Sequence, residues 1–220
     1  NLVTGETSLE DWTAQDGTSF AALENPVKKG YVVVAEESTD AVSSDLTKAG
    51  EHTGIHADAA DITDTVIYRP VGAYRISYAT GKEPAHAQKE ISYLNDPTNP
   101  TAIASPTAIL PYVEGLEPKD ARGQVLKLVD PLDETKGYLL PSPDSPTADT
   151  AISYAISKGS VRVRFLTEGG DTDLQEAQDL ATEVDFGTKY TSEAPTEITK
   201  DGRIYHLVGH RADSADPSGT

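Results

Sequence analysis

Apolar and polar residues alternate along much of this chain, the period-two pattern of half-buried strands. Two related stretches show it best. Residues 63–78 read TDTVIYRPVGAYRISY, and residues 148–165 read ADTAISYAISKGSVRVRF. Both contain Asp-Thr and then an alternating run ending in tyrosine (Val66-Ile67-Tyr68; Ala151-Ile152-Ser153-Tyr154). A short joint containing glycine follows, and then a second alternating run with arginine at outward positions (Arg75; Arg162 and Arg164). A repeat of this kind predicts a strand that closes one module, a tight joint, and a strand that opens the next.

Two further landmarks recur. One is a glycine opening a strand, at Gly17-Thr18-Ser19-Phe20, Gly123-Gln124-Val125-Leu126 and Gly187-Thr188-Lys189-Tyr190. The other is a glycine close before tyrosine, at Gly30-Tyr31, Gly137-Tyr138 and Gly202-Arg203-Ile204-Tyr205. Proline and acidic residues between them supply turn chemistry. The landmarks divide the chain into three modules, 1–71, 72–157 and 158–220. The first lacks its own opening strand and carries an insert at 36–60. The second is complete, with a Pro-rich insert near 98–118. The third stops before a closing strand. One helix is expected, over 172–182, where Leu174, Ala177, Leu180 and Ala181 fall at helical spacing behind Thr172 and Asp173 as capping-box residues. The fold class is then α+β and strand-dominated, a mixed sheet with a short helix on one face. The joints are only about five residues long, neither is a Gly/Ser tether of the random-coil kind, and Pro70 stiffens the first, so the modules are expected end to end as an elongated rod. The outward arginines could pair with carboxylates of the adjacent module or discourage edge pairing.

Composition narrows the function. The 220 residues carry 18 basic and 36 acidic side chains, a formal charge of -18. Nucleic acid and anionic membrane both require a basic footprint, so neither is an expected partner. No apolar run is long enough to span a bilayer. Cysteine is absent, which excludes disulfides, thiol catalysis and thiolate metal sites. Methionine is absent too, which suggests a piece of a longer precursor.

Candidate chemistry is sparse. There is no Gly-x-Ser-x-Gly elbow, and no catalytic residue, metal ligand or cofactor is assigned. His52, His56, His86, His206 and His210 read as exposed or turn residues. Gly169-Gly170-Asp171-Thr172-Asp173 only faintly resembles a calcium loop, because the terminal Glu is missing. Asn1, Asn25, Asn95 and Asn99 are the only asparagines available for a Lys–Asn crosslink, which is not expected. Tyrosine outnumbers phenylalanine by 10 to 3. The recurring Tyr31, Tyr68, Tyr138, Tyr154 and Tyr205 read as the packing signature of the repeat. The non-recurring Trp12, Tyr93 and Tyr112 are the candidates for an exposed binding groove.

The third module, with Val161-Arg162-Val163-Arg164-Phe165, Gly169-Gly170, Phe186-Gly187-Thr188-Lys189-Tyr190 and 202–209, resembles the MucBP (mucin-binding protein) repeats. These belong to cell-wall-anchored adhesins of Gram-positive bacteria. Val66 to Tyr68 and Ile152 to Tyr154 match the family's closing Val-x-Tyr strand, and Tyr31 and Tyr138 its Gly-Tyr strand. The resemblance implies tandem β-grasp (ubiquitin-like) modules, an extracellular, cell-wall-anchored location, and non-catalytic binding of a mucin glycan or other host glycoprotein by a monomeric rod. The alternative is an inert stalk that projects a separate binding domain. The resemblance brings no set of binding residues with it.

Overall fold

The computed structural model describes residues 17–39, 42, 44–55, 62–170, 172–190 and 194–209. Strands dominate, and the helical element among the described residues is one 3-10 turn, Glu134–Lys136. None of the described helices is long and apolar enough to cross a membrane.

The first part of the chain forms β1 (Thr18–Phe20), β2 (Leu23–Glu24), β3 (Tyr31–Ser38), β4 (Lys48–Ala49), β5 (His52–Ile55) and β6 (Asp64–Pro70). They pair antiparallel as β1–β5, β2–β4 and β3–β6. The β3–β6 ladder is the longest of these, with Tyr31 opposite Pro70 and Val33 opposite Tyr68. It begins at a tight turn: Gly30 holds φ +81°, and the Tyr31 N–H donates to the Lys28 carbonyl at 3.0 Å. A positive φ there suits glycine, which has no Cβ to clash. Val32 and Val33 are almost fully buried.

The middle part forms β7 (Ala73–Tyr78), β8 (Glu90–Ser92), β9 (Ile109–Leu110), β10 (Leu116–Lys119), β11 (Tyr138–Leu139) and β12 (Thr150–Ile156). Four of these make one sheet in the order β10-β12-β7-β8, and β9 pairs with β11. The opening strand β7 thus lies beside the closing strand β12. Strand alternation explains the buried set: Tyr74 and Ile76 on β7, and Ile152 and Tyr154 on β12, all point inward, while Arg75 and Ser77 point out.

The last part forms β13 (Lys158–Leu166), β14 (Asp173–Asp185), β15 (Glu197–Lys200) and β16 (Arg203–His206), paired as β13–β14 and β15–β16. Among the described residues from 158 to 209, none is buried.

Each named sheet joins strands of the same third of the chain. By compactness the chain divides into two units, Asn1–Tyr112 with Pro118–Ser153, and Val113–Glu117 with Tyr154–Thr220.

The structure corrects several expectations, among them that strands open at Gly123 and Gly187, where none forms. Residues 173–185 are strand β14, so the helix expected over 172–182 does not form, and no helix lies on a sheet face among the described residues. The landmark glycine of the second repeat is also not the one expected. Two-residue turns bracketed by paired residues occur at Lys29-Gly30 (Lys28 opposite Tyr31), Glu114-Gly115 (Val113 opposite Leu116) and Asp201-Gly202 (Lys200 opposite Arg203). The counterpart of Gly30 is therefore Gly115, whereas Gly137 follows the 3-10 turn.

Candidate functional site

The most elaborate arrangement of polar groups lies where β6 hands over to β7. The Val71 N–H donates to the Gly30 carbonyl at 2.9 Å, tying the end of the closing strand to the β3 turn. Asn95 then grips that turn from the other side of the handover. The Gly30 N–H donates to Asn95 Oδ1, and Asn95 Nδ2 donates to the Tyr31 carbonyl, both at 2.6 Å. One carboxamide here satisfies a backbone donor and a backbone acceptor, as a neighbouring strand would. The Val33 N–H donates to the Pro100 carbonyl at 2.9 Å.

Local sequence explains the position of Asn95 and Pro100. In Asn95-Asp96-Pro97-Thr98-Asn99-Pro100-Thr101, the Asp96 carboxylate accepts from the Thr98 N–H and hydroxyl, and the Asn99 side chain accepts from the Thr101 N–H and hydroxyl. These are two successive Asx turns. The hydrogen bonds from Thr98 hold the Asp96 carboxyl below its ordinary range.

A related arrangement follows β12. The Ser157 N–H donates to the Gly115 carbonyl at 2.9 Å, as Val71 does to Gly30, and the Phe186 N–H donates to the Ser157 carbonyl at 2.8 Å. Val71 and Ser157 each lie three residues beyond the closing tyrosine, Tyr68 and Tyr154. The Phe186 ring lies over Gly115, where an added Cβ would come within 2.4 Å of it. The same connection is thus made twice from the repeated sequence.

The candidate aromatic groove is not assembled. Tyr93, expected on the surface, is buried: its hydroxyl meets the Ala148 carbonyl at 3.0 Å and Thr150 Oγ1 at 2.6 Å. Its ring meets that of Tyr74 edge-on, with centroids 5.0 Å apart. Tyr112 is half-buried, and Trp12 lies outside the described residues. The hollow beside Tyr74, Tyr93, Leu94 and Ile103 holds only about 50 Å³, far below the ~300–1,000 Å³ of ordinary ligand pockets. A larger, open trough of about 520 Å³ runs along β14, but its cations are engaged. Arg164 pairs with Asp173 at 2.9 Å, and Lys200 Nζ donates to the Asp173 carbonyl. The recurring Tyr68, Tyr138 and Tyr154 are buried, while Tyr31 and Tyr205 are half-buried.

The outward arginines find partners within their own third of the chain. Arg75 pairs with Glu90 and with Asp149, the latter at 2.8 Å, and Arg162 pairs with Asp179 at 2.6 Å. Their partners lie in the same third of the chain and not in an adjacent module, Glu90 and Asp179 directly across the ladder. Arg75 and the Ala73 N–H hold the Asp149 carboxyl below its usual range.

One histidine departs from the expected surface role. His52 is 4% exposed, with Nε2 2.8 Å from Asp64 Oδ2. Glu36, also buried, accepts from the Gly50 N–H at 3.1 Å. The imidazole is nearly closed off from solvent, while its partner Asp64 is partly exposed. His86 and His206 are exposed, and His206 faces Glu197 at 3.2 Å. His56 and His210 lie outside the described residues, as does Asp171 of the calcium-like sequence. Among the described residues no cluster of three His, Asp or Glu could hold a metal ion.

Sequence reasoning missed Asn95, mentioned only for a crosslink. The signal that could have found it is the doubled Asx-Pro-Thr pattern of 96–101, which fixes a loop at one geometry. Comparison of the chain with family models, with curated proteins and with solved structures gives no match in any of the three.

Proposed function

We propose that this chain is a non-catalytic repeat region of a bacterial cell-surface adhesin, built of β-grasp-like modules, in which the repeats act chiefly as a stiff stalk. The observation that supports it is the connection between β6 and β7. A mere tether between modules needs no hydrogen bonds at its ends. Here Val71 joins Gly30 and Val33 joins Pro100 through main-chain groups, and the Asn95 carboxamide bridges Gly30 and Tyr31. Pulling one module would load these bonds, so tension passes from strand to strand.

The surface location and the bacterial cell wall come from the motif resemblance. So does the second reading, in which the repeats themselves bind a mucin or another host glycoprotein. The burial of Tyr93 and the small hollow beside it weigh toward the stalk.

Two measurements test the proposal. Asn95→Ala removes two hydrogen bonds and strands two main-chain groups, so the first compact unit should lose about 2 kcal/mol in urea unfolding, at roughly 1 kcal/mol per bond. Hydrogen exchange should quicken at Gly30 and stay unchanged at Tyr205. An unchanged midpoint would mean that the connection carries no load. Separately, immobilised mucin should not retain the protein. Saturable retention, inhibited by free glycan, would replace the stalk with the binding reading.

A further inference from the structure

A third turn of the same kind carries, among the described residues, only part of the twice-made connection. The strand that follows the first x-Gly turn, β3, is covered along its outer edge by β6. The strand after the second, β10, is covered by β12. In both, a closing strand with a tyrosine two residues before its end lies alongside, and the residue three beyond that tyrosine donates its N–H to the turn glycine carbonyl, Val71 to Gly30 and Ser157 to Gly115. The third turn, Asp201-Gly202, has Asp201 at φ +51° and Gly202 at φ +73°, and β16 follows it. Among the described residues β16 pairs with β15 alone.

Side-chain exposure agrees. Val32, two residues after Gly30, is fully buried, whereas Ile204, two residues after Gly202, is 61% exposed. Leu207 and Val208 are exposed as well, and none of the described residues from 158 to 209 is buried. The backbone orientation is also determined. Lys200 and Arg203 close the turn, and the Leu207 N–H donates to the Thr196 carbonyl at 3.0 Å. Arg203, Tyr205 and Leu207 thus turn their amides toward β15, and Ile204 and His206 turn theirs outward.

We propose that the outer edge of β16 is an acceptor for a closing strand of the kind formed by β6 and β12. The occupant is an extended segment with alternating apolar residues and a tyrosine three residues before its end, added by main-chain pairing as in β-augmentation. Its residue three past the tyrosine would donate to the Gly202 carbonyl. The inference stands apart from the stalk proposal, because it rests on strand pairing alone.

The probe is a synthetic peptide with the sequence of residues 149–157, DTAISYAIS, added to the full chain and followed by amide exchange. Ile204 and His206 should exchange rapidly without it and become protected with it, while Tyr205 and Leu207 are protected in both states. A peptide cut after the tyrosine loses the donor to Gly202 and should bind about tenfold more weakly, the equivalent of about one hydrogen bond. His206→Pro removes an outward N–H at a position where an edge strand accepts proline. It should abolish the response, and retained protection at Tyr205 would show that the hairpin still folds. No new protection at Ile204 and His206 would overturn the proposal, as would equal protection by a scrambled peptide or an unaltered response in His206→Pro. Protection that rises with protein concentration in the absence of peptide would assign the edge to a second copy, and would overturn it too.

Discussion

Tyr74→Ala should remove about 3–5 kcal/mol of stability, the range for deleting a large buried aromatic ring. Domains of this kind are stable by only ~5–15 kcal/mol, so the first compact unit should be largely unfolded at a modest urea concentration. Tyr74 is 2% exposed, its ring packs edge-on against Tyr93, and its hydroxyl donates to the Pro141 carbonyl at 2.6 Å. Tyr74→Phe keeps the ring and leaves that carbonyl without its donor, so it should cost about 1–2 kcal/mol. The two variants separate packing from hydrogen bonding.

The same tyrosine makes stability depend on alkaline pH. Burial, aided by Tyr93, pushes its hydroxyl up to about 12 from the ordinary 10.0. The folded form keeps its proton where the unfolded chain has lost it. The contribution is therefore complete below pH 10 and declines as pH rises toward 12, by on the order of 2 kcal/mol. Burial raises Tyr68 and Tyr78 in the same direction, so the informative measurement is wild type minus Tyr74→Phe. Identical pH profiles for the two proteins would show that Tyr74 is not the group responsible.

Gly137→Ala should cost about 3 kcal/mol or more. Gly137 has φ 87° and ψ -163°, a region nearly exclusive to glycine and worth about 1–3 kcal/mol of strain for other residues. An added Cβ would also fall 2.3 Å from the Leu110 carbonyl oxygen and 2.9 Å from Ile109 Cγ2. The β9–β11 pair must then open, and with it the burial of Leu110 and Tyr138. Gly123→Ala is the control. Gly123 also has positive φ, at +79°, but nothing lies within 4 Å of its Cβ position. It should lose only the left-handed penalty, about 1–2 kcal/mol. Equal melting temperatures for the two variants would exclude the clash as the cause.

Much of the strand structure can be read from the residues themselves. Closing strands β6 and β12 and opening strands β7 and β13 follow from local alternation, which needs no knowledge of the partner strand. The helix expected over 172–182 misread one such pattern. In β13–β14 the register shifts at several points. Each bulge inserts a residue and exchanges the two faces of the strand. As a result the half-buried residues Leu174, Ala177, Leu180 and Val184 recur at spacings that imitate a helix. Gly137 was matched to Gly30 for a similar reason: both precede tyrosine, but only pairing distinguishes a hairpin turn from the end of a 3-10 turn.

The residues alone specify a strand-rich, acidic chain without thiol chemistry, in which an Asp-Thr, alternating-run, tyrosine pattern occurs twice. These properties reside in single residues or short runs. The interior place of Tyr93, the burial of His52 beside Asp64 and the role of Asn95 at the turn of Gly30 emerge from tertiary contacts. Strand pairing likewise shows that Gly115 and Gly202 repeat that turn, and that among the described residues β16 pairs with β15 alone. Each of these depends on groups distant in sequence meeting at hydrogen-bonding range. Local alternation specifies which face a residue occupies, and pairing alone specifies what lies across from it.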